Sequence, residues 1–357
     1  MSAKIMGIGD LLIPQEYIKT GFKGFEDQGI GVETIQWDLA SYEELQNINL
    51  MVETGGSEAY EPGQYILDAT KDADIIITQF CPITKRLIDN CNNLKMIGVL
   101  RGGYENINVN YANEKNIVVM NTPGRNANAV ADFTVGLLIS ECRNIAKSHL
   151  ELKKGEWVRD YFNADSVPDL SYKTVGIIGL GQIGQKVAQR LKGFEMDIVA
   201  YDPYLKDPID GIKMLSLKEL MQVSDFVTLH ARLTKETEKL INEELINLMK
   251  PTAYIINSAR SGLIDEKALY EALKAGKIVG AALDVFDEEP PGKEYPLVTL
   301  ENATVTPHLA GGTKDAFINS PILLSKEMVK VIGNQESRFV VNKDIYNQVK
   351  DKWIFKK

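Results

Sequence analysis

The stretch VGIIGLGQIGQKVAQRLKGFEMDIVAYDPY occupies residues 175–204 and decides the reading of the chain. It opens on a short apolar strand. Three glycines then fall in the spacing G-x-G-x-x-G, at Gly179, Gly181 and Gly184. A helical segment follows, and a second strand ends at Asp202, 18 residues after Gly184. In such a strand–turn–helix unit the first glycine permits the tight turn and the second lets a pyrophosphate approach the backbone. The third lets helix and strand pack closely. The helix N-terminus adds unpaired N–H groups and a dipole that favours an anion. A carboxylate at Asp202 suits ribose hydroxyls and repels a 2′-phosphate. No arginine stands beside it in YDPYLKD. Together these features predict a dinucleotide site, for NAD in preference to NADP.

Working outward, short apolar strands alternate with helical segments on both sides of this unit. KIMGIGDLLI, ADIIITQF, LKMIGVL and NIVVMNTP read as strands before it, with helical spacing in SYEELQNINLMV and KRLIDNCNNL. TVGIIGL, DIVAYDP, DFVTLHA, AYIINSA, IVGAALDVF and ATVTPHL read as six strands of a second block. Between the blocks, residues 126–157 read as one long helix without proline. This alternation is the pattern of parallel sheets covered by helices on both faces. The residues after His308 are too few for a further domain. Their helix FINSPILLSKEMVKVIGN is expected to return to the first block. The fold class is therefore α/β with two doubly wound parallel-sheet domains. The expected arrangement is a Rossmann NAD-binding domain at 122–313 inserted in a first domain at 1–121 plus 314–357.

Composition narrows the function. Net charge is −9 over 357 residues and no basic stripe is visible, which argues against nucleic acid. No apolar run approaches the ~20 residues that span a bilayer, and MSAKIMGIGDLLIP does not read as a signal peptide. Cys81, Cys91 and Cys142 show no metal or disulfide spacing, so a cytoplasmic setting and no metal site are expected. Histidine occurs only at 149, 230 and 308.

Three segments of the second block follow strands: NSARSGLID, ALDVFDEEP and TPHLAGGT. Ligands bind at the carboxyl ends of such strands. The segments carry a guanidinium (Arg260), carboxylates (Asp284, Asp287, Glu288, Glu289) and an imidazole (His308). Arginine can clamp a carboxylate bidentately, an imidazole can exchange a hydroxyl proton near neutral pH, and a carboxylate behind it can orient the ring. Taken singly, each has a plainer reading as a surface ion pair, a turn residue or an acidic loop. Their order along one nucleotide-binding sheet favours hydride transfer beside a carboxylate. In the first block, LRGGYEN breaks a buried strand at Arg101, Gly102 and Gly103. Two adjacent glycines imply a tight turn or a close backbone approach.

Over nearly its whole length the chain resembles the D-isomer-specific 2-hydroxyacid dehydrogenases, which include phosphoglycerate, D-lactate and glyoxylate/hydroxypyruvate-type enzymes. The resemblance rests on NTPGRNANAVADFTVGLL, the glycine loop, LMKPTAYIINSARSGLIDEKAL, AALDVFDEEP and VTPHLAGGT. It implies Arg260, Glu289 and His308 as catalytic residues, with Glu289 chosen over Glu288 because it immediately precedes the proline. It implies a flavodoxin-like, substrate-binding character for the domain at 1–121 plus 314–357. It places Gln182 and Ile183 at the pyrophosphate. Ser258, Ala259, Asp284 and Gly311 join the cofactor-binding set on the nicotinamide side. It implies a homodimer built through the long helix, and a substrate carboxylate held by backbone N–H groups of Gly102 and Gly103. Arg101 and Glu105 depart from the family pattern G-x-G-x-D-N, and Arg232 stands where proline is usual. Two readings of Arg101 stay open: an ion pair with an acid such as Glu105, or a contact to a phosphorylated or sugar-derived substrate. The regulatory C-terminal domain common among phosphoglycerate members is not found in these residues. The expected partner is a small 2-hydroxy or 2-keto acid. Two alternatives remain: an NAD(H)-sensing protein of the corepressor type, and a formate- or phosphite-type dehydrogenase. Formate enzymes carry glutamine where Glu289 stands.

Overall fold

The computed structural model describes residues 3–205, 207 and 209–352, so Lys206 of the YDPYLKD stretch and both chain ends lie outside it. The chain divides into two units, residues 1–125 with 313–357, and residues 126–312.

The first unit is built on five parallel strands, β1 (Lys4–Gly9), β2 (Gly31–Gln36), β3 (Ile75–Thr78), β4 (Met96–Val99) and β5 (Val118–Met120). Their order is β2-β1-β3-β4-β5, the flavodoxin-like arrangement. β3 and β4 are buried along their whole length because helices cover both faces. One face holds Ile5, Ile75 and Met96 against Leu324, Met328 and Val331 of the helix Lys314–Ile332. The helix after the second unit thus completes the core of the first. The sequence reading did not include β2. It is an edge strand whose GVETIQ pattern leaves Gly31 and Glu33 exposed, so it lacks the continuous apolar run of its neighbours.

The second unit has seven parallel strands, β6 (Thr174–Ile178), β7 (Asp197–Tyr201), β8 (Lys213–Met214), β9 (Phe226–Leu229), β10 (Tyr254–Asn257), β11 (Gly280–Leu283) and β12 (Ala303–Val305). Their order is β12-β11-β10-β9-β6-β7-β8. The order reverses between β6 and β9, the switch point at which dinucleotides bind in this topology. Six of these strands were expected; β8 is a two-residue edge strand, too short to give a periodic signal.

The single long helix expected over 126–157 is a correction. It is two helices, Ala127–Cys142 and Ile145–Lys153, broken at Asn144, whose φ is +54°. A buried amide pair holds the break. Asn144 Nδ2 donates to Asn163 Oδ1 at 2.7 Å, and Asn163 Nδ2 donates to the Cys142 carbonyl at 3.1 Å. Glu141, buried one turn earlier, accepts Lys147 at 2.9 Å and the Thr304 hydroxyl at 2.5 Å. The first helix buries ten residues, the second none.

Candidate active site

The three loop glycines answer to three different constraints. Gly179 has φ +91°, and a Cβ there would lie 2.5 Å from the Ala231 nitrogen. A Cβ on Gly184 would strike the Gly179 carbonyl oxygen and sit 3.2 Å from Ile177 Cγ2. Gly181 is the N-cap of the helix Gln182–Lys192, with φ −73°, a value open to any residue. A Cβ on it meets nothing within 4 Å. Chain conformation and packing therefore demand glycine at 179 and 184, whereas nothing among the described residues demands it at 181. Gln182 is the first residue of that helix, and Ile183 packs on the core beneath it.

Asp202 follows β7 and turns back to the loop. Its Oδ2 accepts the Leu180 N–H at 2.8 Å, and its Oδ1 accepts the Tyr204 N–H at 2.9 Å. An ionised carboxylate has about four acceptor positions, so it retains capacity for ribose hydroxyls. These observations fit a dinucleotide: an open glycine face, a helix N-terminus and an acceptor at the next strand's end.

At the carboxyl end of β11, the loop places Glu289 against His308, with Nδ1 and Oε2 2.8 Å apart. The Phe286 N–H donates to the other carboxylate oxygen at 3.1 Å. Nδ1 is thereby committed, leaving Nε2 of a half-exposed ring for chemistry. Of the three histidines only His308 has a carboxylate partner among the described residues. His230, after β9, bonds Thr228 Oγ1 at 3.0 Å, and burial pushes its pKa down to about 3, keeping it neutral.

His308 has φ +52°, a left-handed conformation in which histidine is several-fold enriched over most residues. Asp284, fully buried, holds the loop around it. Its Oδ1 accepts the Thr306 hydroxyl at 2.6 Å and the Leu309 N–H at 2.9 Å, and its Oδ2 accepts the Ala310 N–H at 2.9 Å. The family resemblance puts Asp284 on the nicotinamide side; its side-chain contacts are with the loop that carries His308. At Gly311 a Cβ would meet the side-chain amide of Asn126, which would have to move.

Arg260 follows β10 and is exposed. Asn257 shapes its approach, accepting the Ala259 N–H at 3.0 Å and donating to the Arg260 carbonyl at 2.9 Å. The guanidinium bonds the Ala259 carbonyl at 2.7 Å, and among the described residues no carboxylate pairs with it. Ser258 beneath it is buried and bonds Thr134 at 2.6 Å. Asn257 and Thr134 were not read from the sequence. Among the described residues no group of three or more His, Cys, Asp or Glu side chains is arranged to hold a metal.

In the first unit, the turn after β4 carries Arg101, Gly102 and Gly103. Arg101 bonds Asn49 at 2.6 Å, Glu53 at 2.8 Å and Glu105 at 3.1 Å, and lies over the Phe80 ring. The ion pair is thus the reading of Arg101 that the geometry displays. A Cβ on Gly103 would lie 3.0 Å from the Arg101 guanidinium and strike Glu105, so this glycine makes room for the pair. Gly102 is open, its nearest neighbour being Pro123 Cα at 3.9 Å from a built Cβ.

Residues 135–310 match the family model described as D-isomer specific 2-hydroxyacid dehydrogenase, NAD binding domain. The chain is 43% identical over 282 residues to a D-3-phosphoglycerate dehydrogenase of Methanocaldococcus jannaschii, covering 78% of this chain and 53% of the relative. It therefore spans about half the length of that protein. It is 37% identical over 311 residues to a glyoxylate reductase of Pyrococcus furiosus, covering 84% of this chain and 92% of the relative. Among solved structures, a D-2-hydroxyisocaproate dehydrogenase superposes with a TM-score of 0.74 at 25% identity, covering 95% of this chain and 99% of that one. Matched to a glyoxylate reductase at 37% identity over 92% of that relative's length, and carrying the family's NAD-binding domain, the chain belongs to the D-isomer-specific 2-hydroxyacid dehydrogenase family.

Proposed function

We propose that the protein is an NAD-dependent dehydrogenase that interconverts a D-2-hydroxy acid and its 2-keto acid. The observation that carries this reading is the His308–Glu289 pair at 2.8 Å, in the unit that also carries an arginine without a carboxylate partner. When bound, NAD supplies the two-electron chemistry at the substrate's C2. Gly179, Gly181, Gln182, Ile183, Gly184 and Asp202 hold its pyrophosphate and ribose side, and Ser258, Ala259, Asp284 and Gly311 the nicotinamide side.

Arg260 binds the substrate carboxylate and orients C2. His308 removes the hydroxyl proton through Nε2 in oxidation and returns it to the keto oxygen in reduction. Glu289 fixes the tautomer by accepting from Nδ1 and stabilises the imidazolium once it forms. Gly102 and Gly103 keep the role implied by the family, backbone N–H donation to a substrate carboxylate. Arg101 secures their turn.

The substrate class in this reading is a phosphorylated or sugar-derived acid, favoured by the 43% identity to a D-3-phosphoglycerate dehydrogenase and not by Arg101, which Asn49, Glu53 and Glu105 occupy. The test is NADH oxidation against hydroxypyruvate, phosphohydroxypyruvate, glyoxylate, pyruvate and sugar-derived keto acids. Turnover of any one supports the dehydrogenase reading, and preference for phosphohydroxypyruvate or a sugar-derived keto acid over glyoxylate and pyruvate supports the substrate class. Tight NADH binding with silence across the panel replaces it with a nucleotide-sensing role.

The partner in this reading is a second copy of the chain. The helix Ile145–Lys153 buries no residue and exposes Ile145, Leu150 and Leu152 at 52–58%, with Trp157 at 80% just beyond it. An apolar surface of this kind marks an association face. No described helix is long and apolar enough to cross a membrane, and the three cysteines are free thiols. With those thiols we place the enzyme in the reducing cytoplasm.

A further inference from the structure

Glu289 is held by its own loop, and that loop is held in turn from outside. Asp287, next in sequence to the Phe286 whose N–H grips Glu289, donates its own N–H to Glu266 Oε1 at 3.0 Å. Glu266 is the first residue of the helix Glu266–Lys274, whose N-cap Asp265 bonds the Ala268 N–H, so its backbone is fixed by the helix start. Its second oxygen, Oε2, accepts the hydroxyl of Tyr295. The Tyr295 ring meets Phe286 edge-on, with centroids 5.8 Å apart and planes at 84°. Two hydrogen bonds at Glu266 and the edge-on contact of Tyr295 with Phe286 thus hold helix start, tyrosine and loop together around the segment that presents Glu289.

We propose that Glu266 and Tyr295 are positioning residues for the Glu289–His308 pair, clamping the loop so that the Glu289 carboxylate stays in register with the imidazole Nδ1. The inference rests on the assignment of that pair as the proton-transfer site. The connection runs through three hydrogen bonds: Glu266 to the Asp287 N–H, the Phe286 N–H to Glu289, and Glu289 to His308. A carboxylate is a costly choice for packing alone at this place. Glu266 is half-buried, and both Asp287 and Glu289 oppose its charge. Burial above all pushes its pKa up, against the Tyr295 hydrogen bond, and the charges of Asp287 and Glu289 add to the rise. Features that work against stability gather where geometry has to be held for chemistry. Neither Glu266 nor Tyr295 reaches the imidazole, so their effect is on where Glu289 sits.

The experiment compares Glu266→Ala, Glu266→Gln and Tyr295→Phe in the full chain, using NADH and whichever keto acid of the panel turns over. Misplacing a catalytic group by about 1 Å costs up to about 100-fold, so Glu266→Ala is expected to lower kcat about 10- to 100-fold. KM and NADH affinity stay within about twofold, because the carboxylate clamp and the dinucleotide loop are untouched. Glu266→Gln retains an oxygen for the Asp287 N–H and an amide for the tyrosine oxygen, and restores most of kcat. Tyr295→Phe falls between the two, and carries the test by itself should the alanine variant fail to fold. The proposal is overturned if Glu266→Ala and Tyr295→Phe keep full kcat. It is equally overturned if kcat, KM and NADH binding decline together, or if glutamine rescues no better than alanine. His308→Gln runs alongside: turnover surviving there removes the pair itself, a different failure from a clamp that does not matter.

Discussion

Alanine at Gly181 and alanine at Gly184 should fail in opposite ways. At Gly181 the backbone sits at φ −73° and a methyl group meets nothing within 4 Å. Alanine is a poorer N-cap than glycine, but it also stiffens the unfolded chain. The two effects are each of order 0.5–1 kcal/mol and oppose one another. Stability without cofactor should therefore change by less than about 1 kcal/mol. The methyl does occupy the face that a pyrophosphate must approach. Losing one charge-assisted hydrogen bond there costs about 1.5–3 kcal/mol, which raises the NADH Kd about 10- to 100-fold. At Gly184 the methyl strikes the Gly179 carbonyl and crowds Ile177, so helix and strand must separate. Overpacking of this kind costs about 1–3 kcal/mol in the free protein. The assay is thermal melting with and without NADH, together with NADH titration. Gly181→Ala should melt like the parent when free and lose most of the cofactor-induced rise in Tm. Gly184→Ala should melt early before any cofactor is added. If Gly181→Ala binds NADH within about twofold of the parent, the assignment of that face to the pyrophosphate is wrong.

Arg101 bridges Asn49, Glu53 and Glu105, so Arg101→Lys should not substitute for it: an ammonium lacks the planar fork that reaches three separate acceptors. KM for the keto acid should rise in both Arg101→Lys and Arg101→Ala while NADH affinity holds; an unchanged KM would detach this turn from the substrate. Asp10 carries a carboxyl raised by burial to about 6, against N–H donation from Ile13 and Leu12 and the nearby charge of Arg125. The folded chain holds this proton where the unfolded chain has lost it. The group's contribution is therefore full below pH 3.8 and is lost as pH rises through about 6. Its size is about 3 kcal/mol, from roughly two pKa units. Relative to Asp10→Asn, the parent should gain stability on acidification from pH 7 to pH 4.5, as read by denaturant unfolding; parallel curves would contradict this. Glu141→Ala strands the Lys147 ammonium in a mostly buried position and should cost about 3–5 kcal/mol. Replacing both residues with apolar ones should recover much of that loss in a double-mutant cycle.

What the sequence made legible follows from how local each determinant is. β3, β4 and β10 are short apolar runs buried on both faces, and such runs are visible in a single sequence. β2 is an edge strand with exposed positions and β8 has two residues, so neither carried enough periodicity. The break at Asn144 could not be read from residues 126–157, because its determinants lie elsewhere. The amide pair reaches Asn163, and Glu141 is bound by Thr304, 163 residues away. The glycine loop, Arg260 and His308 stood out because strand-end motifs place them by local spacing, whereas only the family resemblance singled out Glu289 among the neighbouring acids. Asp284 was found for the same reason, but its hold on the histidine loop depends on backbone turns beyond Thr306 that spacing does not encode. Glu266 and Tyr295 left no signal: 29 residues separate them, and only the fold joins them at Asp287. Arg101 was visible as an oddity, yet its partners Asn49 and Glu53 lie on a helix about 50 residues earlier.

The central claim is that His308 moves the proton while Glu289 holds it in place. The most direct measurement is turnover of His308→Gln on the keto acid that the parent reduces, beside NADH titration of the same protein. The account predicts NADH affinity within about twofold of the parent and kcat lower by about 100- to 10,000-fold, the usual worth of a general acid–base group. A His308→Gln enzyme that binds NADH and turns over at close to the parent rate would contradict it.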